Sequence, residues 1–142
     1  MELITDSPEQ TITFGEKIGG KLQPGDIVAF YGELGSGKTT MIKGICLGLG
    51  VKEQFLVKSP SFIMINEYKG KFPIYHIDLF RVKTEEELLS IGFDDYLEGN
   101  GICLIEWAEK AERYLPRNTI KIELRYLSNY ERKILISGLS FL

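Results

Sequence analysis

Apolar residues in this chain gather in two distinct patterns. Nearly continuous apolar runs occur at "DIVAFY" (26–31), "SFIMINEY" (61–68), "FPIYHIDLF" (72–80), "GICLIEW" (101–107), "TIKIELRYL" (119–127) and "YERKILIS" (130–137). Runs of this length read as buried strands. Between them, apolar positions recur at helical spacing. Ser7, Pro8 and Gln10 form a helix-start signal and predict a helix from Pro8 to Lys21, broken from the next strand by Pro24-Gly25. "TTMIKGICLGLG" predicts a helix from Lys38, weakened by Gly44 and Gly48 and stopped at Gly50. Thr84 with Glu87 predicts a capping box for "TEEELLSIG", whose glutamates suit the positive end of a helix. "AEKAERYL" predicts a short helix ahead of Pro116.

The order of these elements implies a three-layer α/β domain with a largely parallel central sheet. Two hairpins, turning at "KGK" and around Ser128-Asn129, add antiparallel strands to it. With 142 residues and 44% hydrophobic content, one domain spanning residues 1–142 can bury roughly two-thirds of its unfolded surface. No long uncharged apolar run and no basic-then-apolar leader stands at the N-terminus, so a soluble cytoplasmic protein is expected. Cys46 and Cys103 lie in apolar surroundings without metal or redox spacing and are expected to be buried thiols. Net charge is −3, and the basic residues are scattered singly. A large nucleic-acid footprint needs a basic stripe, so any RNA is expected to be gripped by another protein.

The chemistry is concentrated in one loop. Gly32-Glu33-Leu34-Gly35-Ser36-Gly37-Lys38-Thr39 satisfies G-x-x-x-x-G-K-[ST] between a predicted strand and a predicted helix. Glycines let successive backbone N–H groups turn inward onto phosphate oxygens, and the helix that follows adds its positive end. Lys38 is expected to face solvent and reach the β and γ phosphates, and Thr39 to offer its hydroxyl to Mg²⁺. Such a loop also needs an acid at the end of a neighbouring strand. Asp78 and Glu106 each end an apolar run, Asp78 facing Mg²⁺ and Glu106 facing either the metal or the attacking water. His76, two residues before Asp78, shares its strand face and reads as a histidine bonded to backbone or water. Trp107 reads as a large aromatic of the core.

Missing parts argue against several phosphate-loop classes. No N-K-x-D run reads guanine, no arginine-rich lid follows the core, and no L-S-G-G-Q signature is present. The four segments "GELGSGKTT", "VKSPSF", "YHIDLFR" and "LIEWAE", in this order and in so short a chain, resemble the TsaE family, bacterial ATPases of threonylcarbamoyladenosine synthesis on tRNA. The resemblance runs from Thr11 and Gly15 through Leu115-Pro116 to the C-terminal strands.

It implies a P-loop NTPase-like fold, Mg-ATP binding, and slow hydrolysis that is stimulated by two partner proteins, TsaD and TsaB, with tRNA reached indirectly through them. Residue by residue, it implies a phosphate cradle of Glu33, Leu34, Gly35, Ser36, Gly37, Lys38, Thr39 and Thr40. It also implies a metal site of Thr39, Asp78 and Glu106, and nucleotide contacts from Thr11 and Arg132. The expected catalytic set is Lys38, Asp78 and Glu106. Trp107 matches the tryptophan after the second acid, which implies partner contact or site closure. Ser59-Pro60-Ser61 resembles the family's switch-like segment, with serine where threonine is usual, and Ser36 replaces a common alanine. Two other classes stay open on the residues: a small metabolite kinase, and a binding module that holds nucleotide without turnover.

Overall fold

The computed structural model describes residues 1–52, 57 and 65–139. Among the described residues, seven strands form one sheet: β1 (Glu2–Thr5), β2 (Ile27–Tyr31), β3 (Ile65–Lys69), β4 (Pro73–Asp78), β5 (Ile102–Glu106), β6 (Ile120–Tyr126) and β7 (Arg132–Ser137), in the order β1-β7-β6-β2-β5-β4-β3. The four central strands β4, β5, β2 and β6 run parallel. The β3–β4 and β6–β7 hairpins add antiparallel strands at the two sides. Strand β1 pairs antiparallel with β7 at the outer edge. It is only four residues long and too short to stand out in the sequence.

Two helices, α1 (Pro8–Gly19) and α2 (Lys38–Gly48), cover one face of the sheet. On the other face lie α3 (Glu85–Ser90), α4 (Phe93–Glu98) and a 3₁₀ segment, Ala108–Tyr114, packed on Ile27, Ala29, Ile77, Cys103 and Ile105. The predicted three layers are therefore present. The predicted "AEKAERYL" helix is this 3₁₀ segment, broken by a kink at Ala111. Helix α4 was not legible, because Gly92 and the acidic pair Asp94-Asp95 interrupt any apolar period.

The helix-start signals act as the sequence implies, with one change. Ser7 Oγ accepts from Gln10 N at 3.1 Å, and Thr84 Oγ1 accepts from Glu87 N at 3.1 Å. The return contacts fall one residue earlier than a reciprocal box would place them, from Asp6 N to Gln10 Oε1 and from Lys83 N to Glu87 Oε2. Helix α1 ends at Gly19 rather than Lys21, because Lys21 N and Leu22 N bond to carbonyls three residues back.

Gly44 and Gly48 do more than weaken α2. Together with Gly15 and Gly19 they form the contact between α1 and α2. A Cβ on Gly44 would sit 2.2 Å from Ile12 O, and one on Gly48 would sit 2.2 Å from Glu16 O. The two backbones touch where no side chain fits, which seats the phosphate-loop helix firmly on α1. Gly44→Ala is therefore expected to cost about 1–3 kcal/mol, as overpacking of a tight core does. The melting temperature should fall by several degrees, whereas Gly20→Ala, with no atom closer than 3.6 Å to the new Cβ, should leave it nearly unchanged. Equal melting temperatures for the two variants would refute the close-packing reading.

Cys46 and Cys103 are buried free thiols, as expected, and burial pushes both up to about 12. Among the described residues, no helix is long and apolar enough to cross a membrane.

Candidate nucleotide site

Strand β2 delivers the chain at Tyr31 into a loop whose backbone only glycine can follow. Gly32, Gly35 and Gly37 have φ of 141°, 77° and 101°, in the region that side chains rarely adopt. A Cβ on Gly32 would also lie 2.5 Å from Leu124 O. Gly37 is the N-cap of α2, and no side chain caps that helix. Its first-turn N–H groups, at the positive end of the helix dipole, are left to bind an anion. Ser36 Oγ is buried in the same turn with no hydrogen-bond partner.

A cavity of roughly 430 Å³ opens over this turn, lined by Leu34 through Thr40 from the loop and by Asp78, Phe80, Arg81, Glu106, Trp107 and Arg132. The parallel register explains the carboxylates. Asp78 of β4 pairs with Glu106 of β5, so both emerge at the same sheet end and face. That face is the one α2 covers, and it places them beside the first turn of α2 at the carboxyl ends of the strands. Thr39 Oγ1 donates to Glu106 Oε1 at 3.3 Å.

Asp78 is half-buried, and its Oδ1 accepts from Phe80 N at 2.9 Å. It thus caps the following turn while lining the cavity. Burial raises the Asp78 carboxyl above its ordinary range, the Phe80 amide lowers it, and the neighbouring Glu106 raises it further.

Lys38 departs from the expectation of a solvent-facing side chain. It is buried, its Nζ donates to Gly32 O, and the ammonium lies 3.6 Å from the centre of the Trp107 ring. Burial draws its pKa below that of an ordinary lysine, and Glu106, Glu109 and Asp78 oppose the shift. The chain leaves β5 through Trp107 in the left-handed region, at φ 59°. Trp107 is therefore a wall of the cavity, in contact with Lys38 and with Phe80 at 5.0 Å between ring centres. Phe80 was not singled out from the sequence. Its position two residues after Asp78 was the available signal.

Arg132 reaches the loop from the C-terminal hairpin, donating from Nη2 to Gly35 O at 3.1 Å and from Nη1 to Ser128 O at 2.7 Å. Thr11 lies outside the main cavity. It helps line a small recess beside Gly37, Thr40 and Arg132, and its hydroxyl is 2.7 Å from that of Thr5. Glu33 is exposed and contributes its carbonyl, which accepts from Ser36 N. His76 is fully buried, and the partners of its ring are side chains, Tyr68 and Glu106, rather than backbone or water. Ser59-Pro60-Ser61 lies outside the described residues.

The donor set fits a magnesium-bound nucleotide. Among the described residues, no group of three or more His, Cys, Asp or Glu could cage a metal. A hydroxyl and one or two carboxylates beside a phosphate cradle suit Mg²⁺, which keeps water and phosphate ligands. The uncapped helix end, whose first-turn N–H groups have no side-chain cap, suits an acceptor-rich group of phosphate type.

Comparison with known proteins places the chain in a family. Residues 5–134 match the family described as "Threonylcarbamoyl adenosine biosynthesis protein TsaE". The tRNA threonylcarbamoyladenosine biosynthesis protein TsaE of Treponema pallidum is 35% identical over 96% of this chain and 100% of its own length. The protein of that name from Bacillus subtilis is 39% identical over 92% of this chain and 80% of its own. The crystal structure of Bacillus subtilis YdiB superposes with a TM-score of 0.76 and 34% identity, covering 94% of this chain and 82% of that one. The P-loop fold, the paired strand-end acids and these matches together make this chain a member of the TsaE family.

Proposed function

We propose that this protein binds and hydrolyses Mg-ATP and serves threonylcarbamoyladenosine modification of tRNA as a nucleotide switch acting on TsaD and TsaB in the cytoplasm. The observation that carries the reading is the convergence of the uncapped α2 N-terminus, Lys38, Thr39, Asp78 and Glu106 on one cavity. Glycine-loop amides and Lys38 hold the β and γ phosphates. Thr39, Asp78 and Glu106 hold Mg²⁺, directly or through water, and the ion when bound neutralises charge on the transferring phosphate. Glu106, buried and aimed at the same turn, orients the attacking water and accepts its proton.

The kinase alternative requires chain that closes over a second substrate, and no such lid lies among the described residues around the cavity. The binding-module alternative predicts tight nucleotide binding without stimulated hydrolysis, and indifference to Glu106→Ala. The scattered charge fits a subunit that docks on proteins better than an enzyme that grips free tRNA.

The metal assignment is tested by titrating ATP with and without Mg²⁺. Wild-type affinity should rise with Mg²⁺, and Asp78→Ala should lose about tenfold of that gain, in line with removal of one charged metal contact. Equal Mg²⁺ dependence in the two proteins would remove Asp78 from the metal site.

A further inference from the structure

The only histidine of the chain lies in a place where an aliphatic residue would be the simpler choice. His76 sits on β4 between Ile74 and Asp78, on the sheet face that α2 covers, and is wholly buried. A buried imidazole is costly unless both ring nitrogens are satisfied. Both are. Nδ1 lies 2.9 Å from the Tyr68 hydroxyl, and Nε2 lies 2.6 Å from Glu106 Oε2. Tyr68, on the edge strand β3, is itself 7% exposed and accepts from Asn66 Nδ2 at 3.4 Å.

The direction of this chain of contacts follows from its end. With the Glu106 oxygen as acceptor, the hydrogen of this contact is assigned to His76 Nε2. Tyr68, which accepts from Asn66, can turn its own proton onto Nδ1. The line Asn66–Tyr68–His76–Glu106 then runs as donor to acceptor at every step.

We infer that His76, backed by Tyr68, is a positioning residue that occupies one oxygen of Glu106 and so presents the other, Oε1, to Thr39 and the phosphate side of the cavity. The inference rests on the ATPase reading above and deepens it, since it assigns the two Glu106 oxygens different work. Oε2 is held from behind by the imidazole, and Oε1, 3.3 Å from Thr39 Oγ1, is the oxygen that meets water or metal. The imidazole contact fixes Oε2 and so adds to the restraint that Thr39 places on Oε1. Partners that orient an active group from behind in this way typically govern 10- to 100-fold in activity.

Two measurements on the full chain test it. The first is ¹⁵N NMR of the imidazole in nucleotide-free protein, where one histidine gives one pair of ring nitrogens. A single Nε2–H tautomer is expected, becoming a mixture in Glu106→Ala. A mixture in the wild type, or an Nδ1–H tautomer, would overturn the proposal.

The second is Mg-ATP turnover by His76→Leu, His76→Gln and Tyr68→Phe, with thermal melts of each. His76→Leu should lose about 10- to 100-fold in kcat with KM within about threefold. His76→Gln, whose amide can donate to Glu106, should recover most of that loss, and Tyr68→Phe should lose about three- to tenfold. Turnover within twofold of wild type in a folded His76→Leu would overturn the proposal. So would an equal loss in His76→Gln, or losses that only follow the melting temperature. Should His76→Leu not fold, His76→Gln and Tyr68→Phe decide the matter by the same criteria. Wild-type turnover no higher than that of Lys38→Ala would instead refute the ATPase reading and with it the catalytic part of the relay, while the tautomer measurement still tests the geometry.

Discussion

Lys38→Ala should weaken Mg-ATP binding by about 10- to 100-fold, the range of one charge-assisted hydrogen bond lost from a phosphate. The structure adds a condition that the motif does not. Lys38 is buried with its ammonium bonded to Gly32 O and set against Trp107, so the substitution removes contacts from the nucleotide-free protein as well. Those contacts are offset by the burial that already disfavours the charged amine. The melting temperature without nucleotide should therefore move by only a few degrees, and the difference between the two proteins should widen when ATP is added. Equilibrium titration and thermal melts with and without ATP check both parts. A fall of many degrees with unchanged affinity would make Lys38 a structural residue and remove it from the phosphate site.

Glu106→Gln should leave ATP bound and largely stop its hydrolysis. The amide fills nearly the volume of the carboxylate in a position that is 3% exposed, so packing is kept. What is lost is the negative charge beside Thr39 and the capacity to take a proton from water. General-base groups contribute about 10²- to 10⁴-fold, and a drop of at least about 10² in kcat is expected, with affinity within a few-fold of wild type. Single-turnover kinetics with bound ATP read the chemical step directly. Turnover within twofold of wild type would exclude Glu106 from the chemistry.

Much of this site could be read from residue order alone, because its parts obey local rules. The loop is legible since only a glycine-rich turn between a strand and a helix produces it, and Asp78 and Glu106 since each closes an apolar run. Their convergence is a property of register: β4 and β5 lie side by side in parallel with Asp78 opposite Glu106, which no single run discloses. The packing of Lys38 on Trp107 depends on the left-handed turn at Trp107, a conformation that sequence does not signal for tryptophan. His76 was placed on the right face by the alternation of β4, yet its partners come from β3 and β5, sequence-distant strands brought together by the sheet. Gly44 and Gly48 looked like helix-weakening residues because the backbone they touch belongs to another helix. Strand β1 gives no signal at four residues, and α4 none through its acidic first turn.

The most direct measurement is steady-state hydrolysis of Mg-ATP by this protein alone and with TsaD and TsaB from the same organism, with Lys38→Ala as control. Slow turnover alone, strongly stimulated by the two partners and abolished in Lys38→Ala, is the expected result. Hydrolysis that ignores the partners, or that survives loss of Lys38, would contradict a nucleotide switch built on this loop.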